Sequence, residues 1–166
     1  AGQLDGVDWC VANAVNAVAN GPLGRVREIT DRYRAGWRER GAGRPIPWMG
    51  MSRHLVIARD STAAHAIAAR AYAVWHRSFM HLWRVHGATA PYAAFPEAYS
   101  EARALGLTVA GTADEVRDTL LDHVERSGVN YLLARFAFGD LDRDESMATL
   151  DASADRVLPA LLARHW

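Results

Sequence analysis

The sequence has 166 residues, the length of one domain, and half of them are hydrophobic while 23% are charged, which predicts a single globular domain with a core. The formal net charge is zero, which excludes the strongly basic balance that nucleic-acid-binding proteins usually show. All basic residues other than histidine are arginine, so reactions that need a lysine amine, such as Schiff-base formation, are excluded.

The cysteine content and the apolar runs predict the compartment. Cys10 is the single cysteine and the sequence has no CxxC motif, so neither an internal disulfide nor a cysteine metal site is expected. No apolar run is long enough to span a membrane, and no signal-peptide pattern is present. We therefore expect a cytoplasmic protein without a membrane anchor. The sequence starts at Ala1 without an initiator methionine, and we expect it to be part of a longer one.

The first predicted elements are a strand and a helix. Val7–Ala12 form a short apolar run after Gly6, which predicts a buried strand. Apolar residues then recur at helical spacing from Val26 to Trp37, and they predict a helix of about 18 residues that ends near Gly41. Arginines and acidic residues alternate along this helix, which indicates a solvated face and not a nucleic-acid site.

The middle of the chain predicts a second strand over Met49–Ala58 and then a long helix. The helix begins after the N-cap residue types of Asp60–Thr62 and ends at Gly87. Its predicted buried stripe consists of Ile67, Ala71, Val74, Ser78, Leu82 and Val85. Residues 88–106 lack a clear period, and we expect an irregular insertion there with a short helix.

The C-terminal part predicts two more strands and two helices. Leu107–Ala110 form a short strand, Thr112–Glu115 a capping box, and Val129–Phe136 a strong apolar strand. The last helix begins at an acidic cap, Asp142–Asp144, and Pro159 is expected to kink it. Its predicted stripe consists of Met147, Leu150, Ala154, Val157 and Leu161. Strands that alternate with helices predict a parallel sheet of the α/β class, and so few strands leave open edges.

The histidines do not predict a metal site. His76, His81 and His86 are spaced by five residues, which leaves successive rings about 140° apart around a helix. These rings do not converge on one ion. No HExxH, GxSxG or cysteine–histidine pattern predicts hydrolytic catalysis either.

Several segments carry a resemblance to a known family by their order and spacing. The C-terminal segments are GTADEV at 111–116, RSGVNYLLARFAFGDL at 126–141 and ADRVLPAL at 154–161. The earlier segments are IPWMGMSRHLVIARDSTAAHAIA at 46–68 and GVDWCVAN before it. Together they resemble the luciferase-like flavin-dependent monooxygenases, in which 46–68 is similar to a strand and helix and GVDWCVAN to the strand before them. The resemblance covers nearly all of residues 1–166, and 88–106 is its weakest part.

The resemblance implies the C-terminal portion of a (β/α)8 TIM barrel, and hence a chain that is inactive on its own. In the family a reduced flavin activates dioxygen to oxidise a small organic substrate, or hydride passes between flavin and substrate. FMN is the expected cofactor, with a deazaflavin as the alternative. The partners implied are the missing N-terminal barrel half or a second copy of the chain, in a homo-oligomer. The rival interpretation is a non-catalytic half-barrel that binds or dimerises.

The resemblance also implies candidate site residues. Arg53 matches an arginine that projects into the active-site cavity, where it holds an anionic substrate group or stabilises negative charge formed at the flavin. Phe136, Phe138 and Gly139 follow the last strand, where barrel enzymes carry their catalytic loops, and they are expected to contact the flavin. Strand alternation places Arg53 on one face with Met51, and a guanidinium among apolar neighbours is costly unless a cavity or partner compensates it.

Structural alternatives stay open for these side chains. A salt bridge at the strand end would also account for Arg53, and packing under the last helix would also account for Phe136 and Phe138. For Arg135 we favour pairing with Asp140 or Asp142 over contact with the cofactor. For His54, on the opposite face from Arg53, we favour a structural histidine whose ring nitrogens have partners.

Overall fold

The computed structural model describes residues 4–41, 43–87 and 95–164, which form four parallel strands and eight α-helices. The strands are β1 (Ala17–Ala19), β2 (Met49–Ile57), β3 (Thr108–Gly111) and β4 (Tyr131–Arg135). The helices are α1 (Leu4–Ala12), α2 (Leu23–Arg40), α3 (Ser61–Phe79), α4 (His81–Val85), α5 (Tyr99–Ala104), α6 (Ala113–Ser127), α7 (Arg143–Ala152) and α8 (Leu158–Leu162). No described helix is long and apolar enough to cross a membrane.

The sheet is built around β2, which pairs in parallel with all three other strands. β1 pairs with its first residues, Met49–Met51, and β3 with its last, His54–Ile57. β4 pairs with Gly50–His54. The parallel pairing of strands that alternate with helices confirms the predicted α/β class. Within the described residues the sheet does not close on itself.

Helices cover both faces of β2, and every residue of this strand is buried as a result. Met51 and Leu55 belong to the larger core, formed with α2, α6 and the C-terminal helices, whereas Val56 belongs to a smaller core formed with α3 and α5. The apolar run of Met49–Ile57 therefore reflects burial on two sides.

The predicted strand over Val7–Ala12 is wrong, because these residues lie in helix α1. The two buried side chains of α1 are Val7 and Val11, four residues apart, which is one helical turn. A Cβ on Gly36 of α2 would lie 3.1 Å from a Val11 methyl carbon, so this glycine allows α1 and α2 to pack closely. The strand of this region is the three-residue β1 that follows.

The predicted long helix is broken near Met80, so its predicted stripe is only partly correct. α3 ends at Phe79 and α4 follows it. Leu82 and Val85 of α4 are exposed, at 64% and 62%. The buried residues of α3 are Ala64, Ala68, Ala71, Tyr72 and His76. Within the predicted insertion, 88–94 lie outside the described residues, and helix α5 confirms the short helix expected in 88–106.

Several predicted helix caps are confirmed. Asp60 caps α3, and Thr112 and Asp142 form capping boxes at the starts of α6 and α7. Gly128 ends α6 in the left-handed conformation. A π-helical segment, Ser153–Val157, connects α7 to α8 just before Pro159. In the predicted last stripe only Val157 and Leu161 are buried, while Met147, Leu150 and Ala154 are exposed.

Candidate functional site

An aromatic cluster surrounds His54 near the C-terminal half of β2. The ring centroid of His54 lies 4.2 Å from that of Phe138, which follows β4, and 4.5 Å from that of Trp75 on α3. Trp75 in turn stacks on Phe79, with ring centroids 5.0 Å apart. The sequence did not single out Trp75 as a site residue, because nothing in the pattern of α3 shows which strand residue its ring meets.

His54 is a neutral imidazole without hydrogen-bond partners in the described part of the chain. Its side chain is 1% exposed, and neither ring nitrogen has a hydrogen-bond partner there. Burial, followed by the charges of Arg135 and Arg53, lowers the pKa of His54 to about 3. The opposite face predicted for it is confirmed, but the expected partners of its ring nitrogens are absent from the described residues. An unpaired buried imidazole is costly, so this group is suited to a ligand.

Arg135 lies beside His54 on β4, because the two residues are in register. Its guanidinium carbon lies 5.7 Å from the ring centroid of Trp75, within cation–π range. The buried Nε has no partner in the described residues, and burial lowers the pKa of the guanidinium. The favoured pairing of Arg135 is wrong, since Asp140 pairs with Arg70 and Asp142 caps α7. A cation without an acidic partner beside an aromatic wall can bind an anion.

Arg53 lies on β2 and is fully buried, at 0% exposure. Its Nη1 donates a hydrogen bond to the backbone carbonyl of Ser52, 2.9 Å away. Ser52 lies between the part of β2 that pairs with β1 and the part that pairs with β3. Nε and Nη2 have no partner among the described residues. Burial, followed by the charge of Arg135, lowers the pKa of Arg53 to about 10. The described residues thus offer no salt bridge that would account for Arg53, and its catalytic role stays a prediction.

The three candidates after β4 do not come together. Phe138 contacts His54 in the smaller core, whereas Phe136 packs against the larger one. Gly139 has a φ of 62°, and a Cβ there would overlap the carbonyl oxygen of Ala71 on α3. At Gly139 the backbone therefore lies directly against the backbone of α3, and this contact holds Phe138 against that helix. Contact of these residues with a flavin is not decided by the structure and stays a prediction.

A second feature is an apolar groove of about 650 Å³ between β4, the π-helical segment and α8. Tyr131, Leu158 and Leu162 line it and are 43%, 47% and 69% exposed. Phe136 also lines it. In the described residues, β4 pairs only with β2, so one edge of β4 is unpaired. Exposed apolar side chains next to a free strand edge indicate a surface that another chain segment covers.

Residues 4–41, 43–87 and 95–164 bring no three histidine, cysteine, aspartate or glutamate side chains together in a way that would hold a metal ion. The absence of a metal cofactor stays a prediction.

Comparison with known protein families and sequences gives two matches. The family model of the luciferase-like monooxygenases matches residues 9–131. The protein y4wF of Sinorhizobium fredii is 37% identical over 145 residues, which are 85% of this chain and 41% of that protein.

Solved structures resemble the chain as well. Monooxygenase RslO1 from Streptomyces bottropensis superposes with a TM-score of 0.75 at 20% identity, over 96% of this chain and 46% of RslO1. The oxygenating constituent of 3,6-diketocamphane monooxygenase from Pseudomonas putida, in complex with FMN, gives 0.68 at 15% identity, over 93% and 45%. Coenzyme F420-dependent tetrahydromethanopterin reductase from Methanopyrus kandleri gives 0.60 at 16% identity, over 97% and 49%. The chain spans less than half the length of these relatives, and their fold supports the partial barrel.

Proposed function

Because the chain belongs to the luciferase-like monooxygenase family, we propose that it supplies the C-terminal part of a flavin-dependent oxidoreductase barrel that oxidises a small organic substrate. The observation that carries the proposal is Arg135, without an acidic partner among the described residues, beside Trp75 and the neutral His54. Barrel enzymes bind their ligands where strands end in this way. FMN is the preferred cofactor because one structural relative was solved with FMN, and a deazaflavin is the alternative.

The residues of this cluster fit a flavin in chemical type. Trp75 and Phe138 place aromatic rings beside His54, and Arg135 offers a cation without an acidic partner among the described residues. When bound, the flavin supplies the electrons for the reaction. Arg135 would hold the negative charge of the reduced ring or of the substrate. His54, uncharged at neutral pH, would give or accept a hydrogen bond without adding charge, and the surrounding rings exclude water.

The first prediction concerns cofactor affinity in the complete protein. Arg135→Gln is expected to weaken FMN binding by about tenfold or more, because one charge-assisted hydrogen bond is worth roughly 1.5–3 kcal/mol. Quenching of FMN fluorescence measures the affinity, with a deazaflavin titrated in parallel. Arg126→Gln is the matched control, because Arg126 is exposed and paired with Asp122 on α6. If neither flavin binds the unmodified protein, the non-catalytic half-barrel is the better interpretation.

The apolar groove and the edge of β4 that is unpaired in the described residues indicate where a partner segment binds. We propose that the N-terminal half of the barrel covers both, and that a second copy covers them when residues 1–166 are alone. The relatives are more than twice as long as the matched region, so their remaining half is the segment of matching size and fold. Burying the groove's leucines contributes about 25 cal/mol for each Å² of apolar surface removed from water.

The second prediction tests that covering directly. The 166-residue chain is expected to elute as a dimer or larger species, and Leu158→Glu in the groove is expected to shift it toward monomer. Light scattering coupled to size-exclusion chromatography measures the mass. Leu82→Glu is the control, because Leu82 is also an exposed leucine but lies on α4, outside the groove. A stable, well-folded monomer of the unmodified chain would refute the proposal.

A further inference from the structure

A polar pocket of about 330 Å³ lies beside β3, where α3, α5 and α6 come together. We call it the edge pocket, and its polar lining residues are His65, Arg103, Thr108, Glu115, Thr119 and His123. It shares no lining residue with the apolar groove or the aromatic cluster around His54. Three of its members, Glu115, Thr119 and His123, recur every four residues and so lie on one face of α6.

The inner part of the edge pocket contains two buried polar groups that lack partners. Thr108 is 1% exposed and its Oγ1 has no hydrogen-bond partner in the described chain. His123 is 6% exposed and its Nδ1 is also without one. Buried hydroxyl and imidazole groups are nearly always hydrogen-bonded in folded proteins. Two such groups in the same pocket indicate a molecule that supplies oxygen or nitrogen atoms to both.

The outer part of the edge pocket is charged. Arg103 is exposed and forms no ion pair with another described residue. Glu115 is exposed too, but its Oε2 accepts hydrogen bonds from Ser61 and from the backbone and hydroxyl of Thr112. These donors lower the pKa of Glu115 and occupy its Oε2. Arg103 is therefore the charge that is free to meet a ligand.

The histidines of the edge pocket are uncharged at neutral pH. Burial, followed by the charge of Arg53, lowers the pKa of His123 to about 4. Burial, followed by the charge of Arg103, lowers the pKa of His65, whose Nδ1 also bonds the hydroxyl of Tyr99 at 2.7 Å. The pocket thus combines one cation, unpaired in the described chain, with neutral donors, which suits a small molecule with one anionic group.

We propose that the edge pocket binds a small oxyanion, a carboxylate or a phosphate, between the Arg103 guanidinium, the Thr108 hydroxyl and Nδ1 of His123. Thr119 adds a half-buried hydroxyl on the α6 side. In the tautomer with hydrogen on Nδ1, His123 donates to the anion. Glu115 repels the same anion, which favours a ligand of low charge. Because Thr108 is in register with His54, a ligand in the edge pocket would lie next to the strand that carries the aromatic cluster.

Ligand-observed NMR on the purified protein tests the proposal. Phosphate is followed by its ³¹P line width and acetate by saturation transfer to its methyl protons, with chloride holding the ionic strength constant. At least one oxyanion is expected to saturate. Thr108→Val and Arg103→Gln are each expected to weaken that binding about tenfold or more. The control for Thr108 is Ser153→Ala, which removes another buried hydroxyl without a partner in the described chain, and the control for Arg103 is Arg126→Gln.

The outcomes separate a built anion site from a pocket filled by water and from an adventitious ion. Saturation by one anion and not the other identifies the ligand chemistry, and saturation by both supports the shared oxyanion site. Thr119→Val, at a half-buried helix position, is the second variant if Thr108→Val does not fold. The proposal fails if neither anion saturates, which is the result expected when water alone fills the pocket. It also fails if Thr108→Val and Thr119→Val bind as the unmodified protein does, which means an adventitious ion only.

Discussion

Replacing Arg53 with alanine is expected to lower the turnover of the complete enzyme by about 10–1000-fold while the fold survives, which is the range for one lost charge-stabilising donor. The physical reason lies in the burial of an uncompensated charge. Two guanidinium nitrogens of Arg53 have no partner in the described residues, and no exposed surface remains on the side chain. Such a group costs stability unless it meets an anion. Steady-state kinetics measures the expected loss of turnover, and the melting temperature of the same samples shows whether the fold survives.

Arg53→Met separates the charge from the volume of the side chain. Methionine keeps most of the apolar bulk beside Met51 and Leu55 but removes the donor to the Ser52 carbonyl. Equal losses of turnover in the alanine and methionine variants, with melting temperatures near that of the unmodified protein, would indicate that the charge acts in the reaction. If turnover is unchanged and only the alanine variant melts earlier, the Arg53 side chain serves only to fill buried space.

The fold was largely predictable because most elements have clear local patterns. Met49–Ile57 is a strong apolar run, and the α6 helix has a capping box at Thr112 and a glycine at its end. α1 was mistaken for a strand because a short apolar run has no decisive period, and its two buried valines become evident only against α2. β1 is not predicted because a strand of three residues is too short to show an alternating pattern.

The candidate site was predictable only in its residue types. The expectation that Phe138 contacts a ligand, from its place after the last strand, stays a prediction, and the structure shows its contact with His54. The pairing of Arg135 was misjudged because nearby aspartates in the sequence suggested a local partner, whereas Asp140 turns to Arg70 on α3. Trp75 contacts His54 across 21 residues of sequence. A contact between residues so far apart in sequence depends on how α3 packs on the sheet, and the spacing of apolar residues along α3 does not define that packing.

Gly139→Ala is expected to lower the free energy of unfolding by about 3 kcal/mol, the second large effect that the structure predicts, because two costs add at this position. The left-handed backbone, with a φ of 62°, costs a residue with a Cβ roughly 1–2 kcal/mol. Overlap of that Cβ with the Ala71 carbonyl oxygen forces α3 and the segment after β4 apart, and overpacking of this kind costs about 1–3 kcal/mol. Urea unfolding of the purified protein measures the sum.

Gly43→Ala is the matched control, because Gly43 also has a positive φ, 76°, but a Cβ there would meet no atom within 4 Å. Gly43→Ala should therefore show the backbone cost alone, about 1–2 kcal/mol, and the difference between the two variants measures the contact with α3. Equal losses in both variants would show that Gly139 does not lie against Ala71.

The same pair of variants decides the predicted role of Gly139 in cofactor binding. If Gly139→Ala weakens FMN binding without a loss of stability beyond that of Gly43→Ala, the glycine faces the flavin. If stability falls as expected while the protein that remains folded binds FMN normally, the glycine serves to hold Phe138 and the end of β4 against α3.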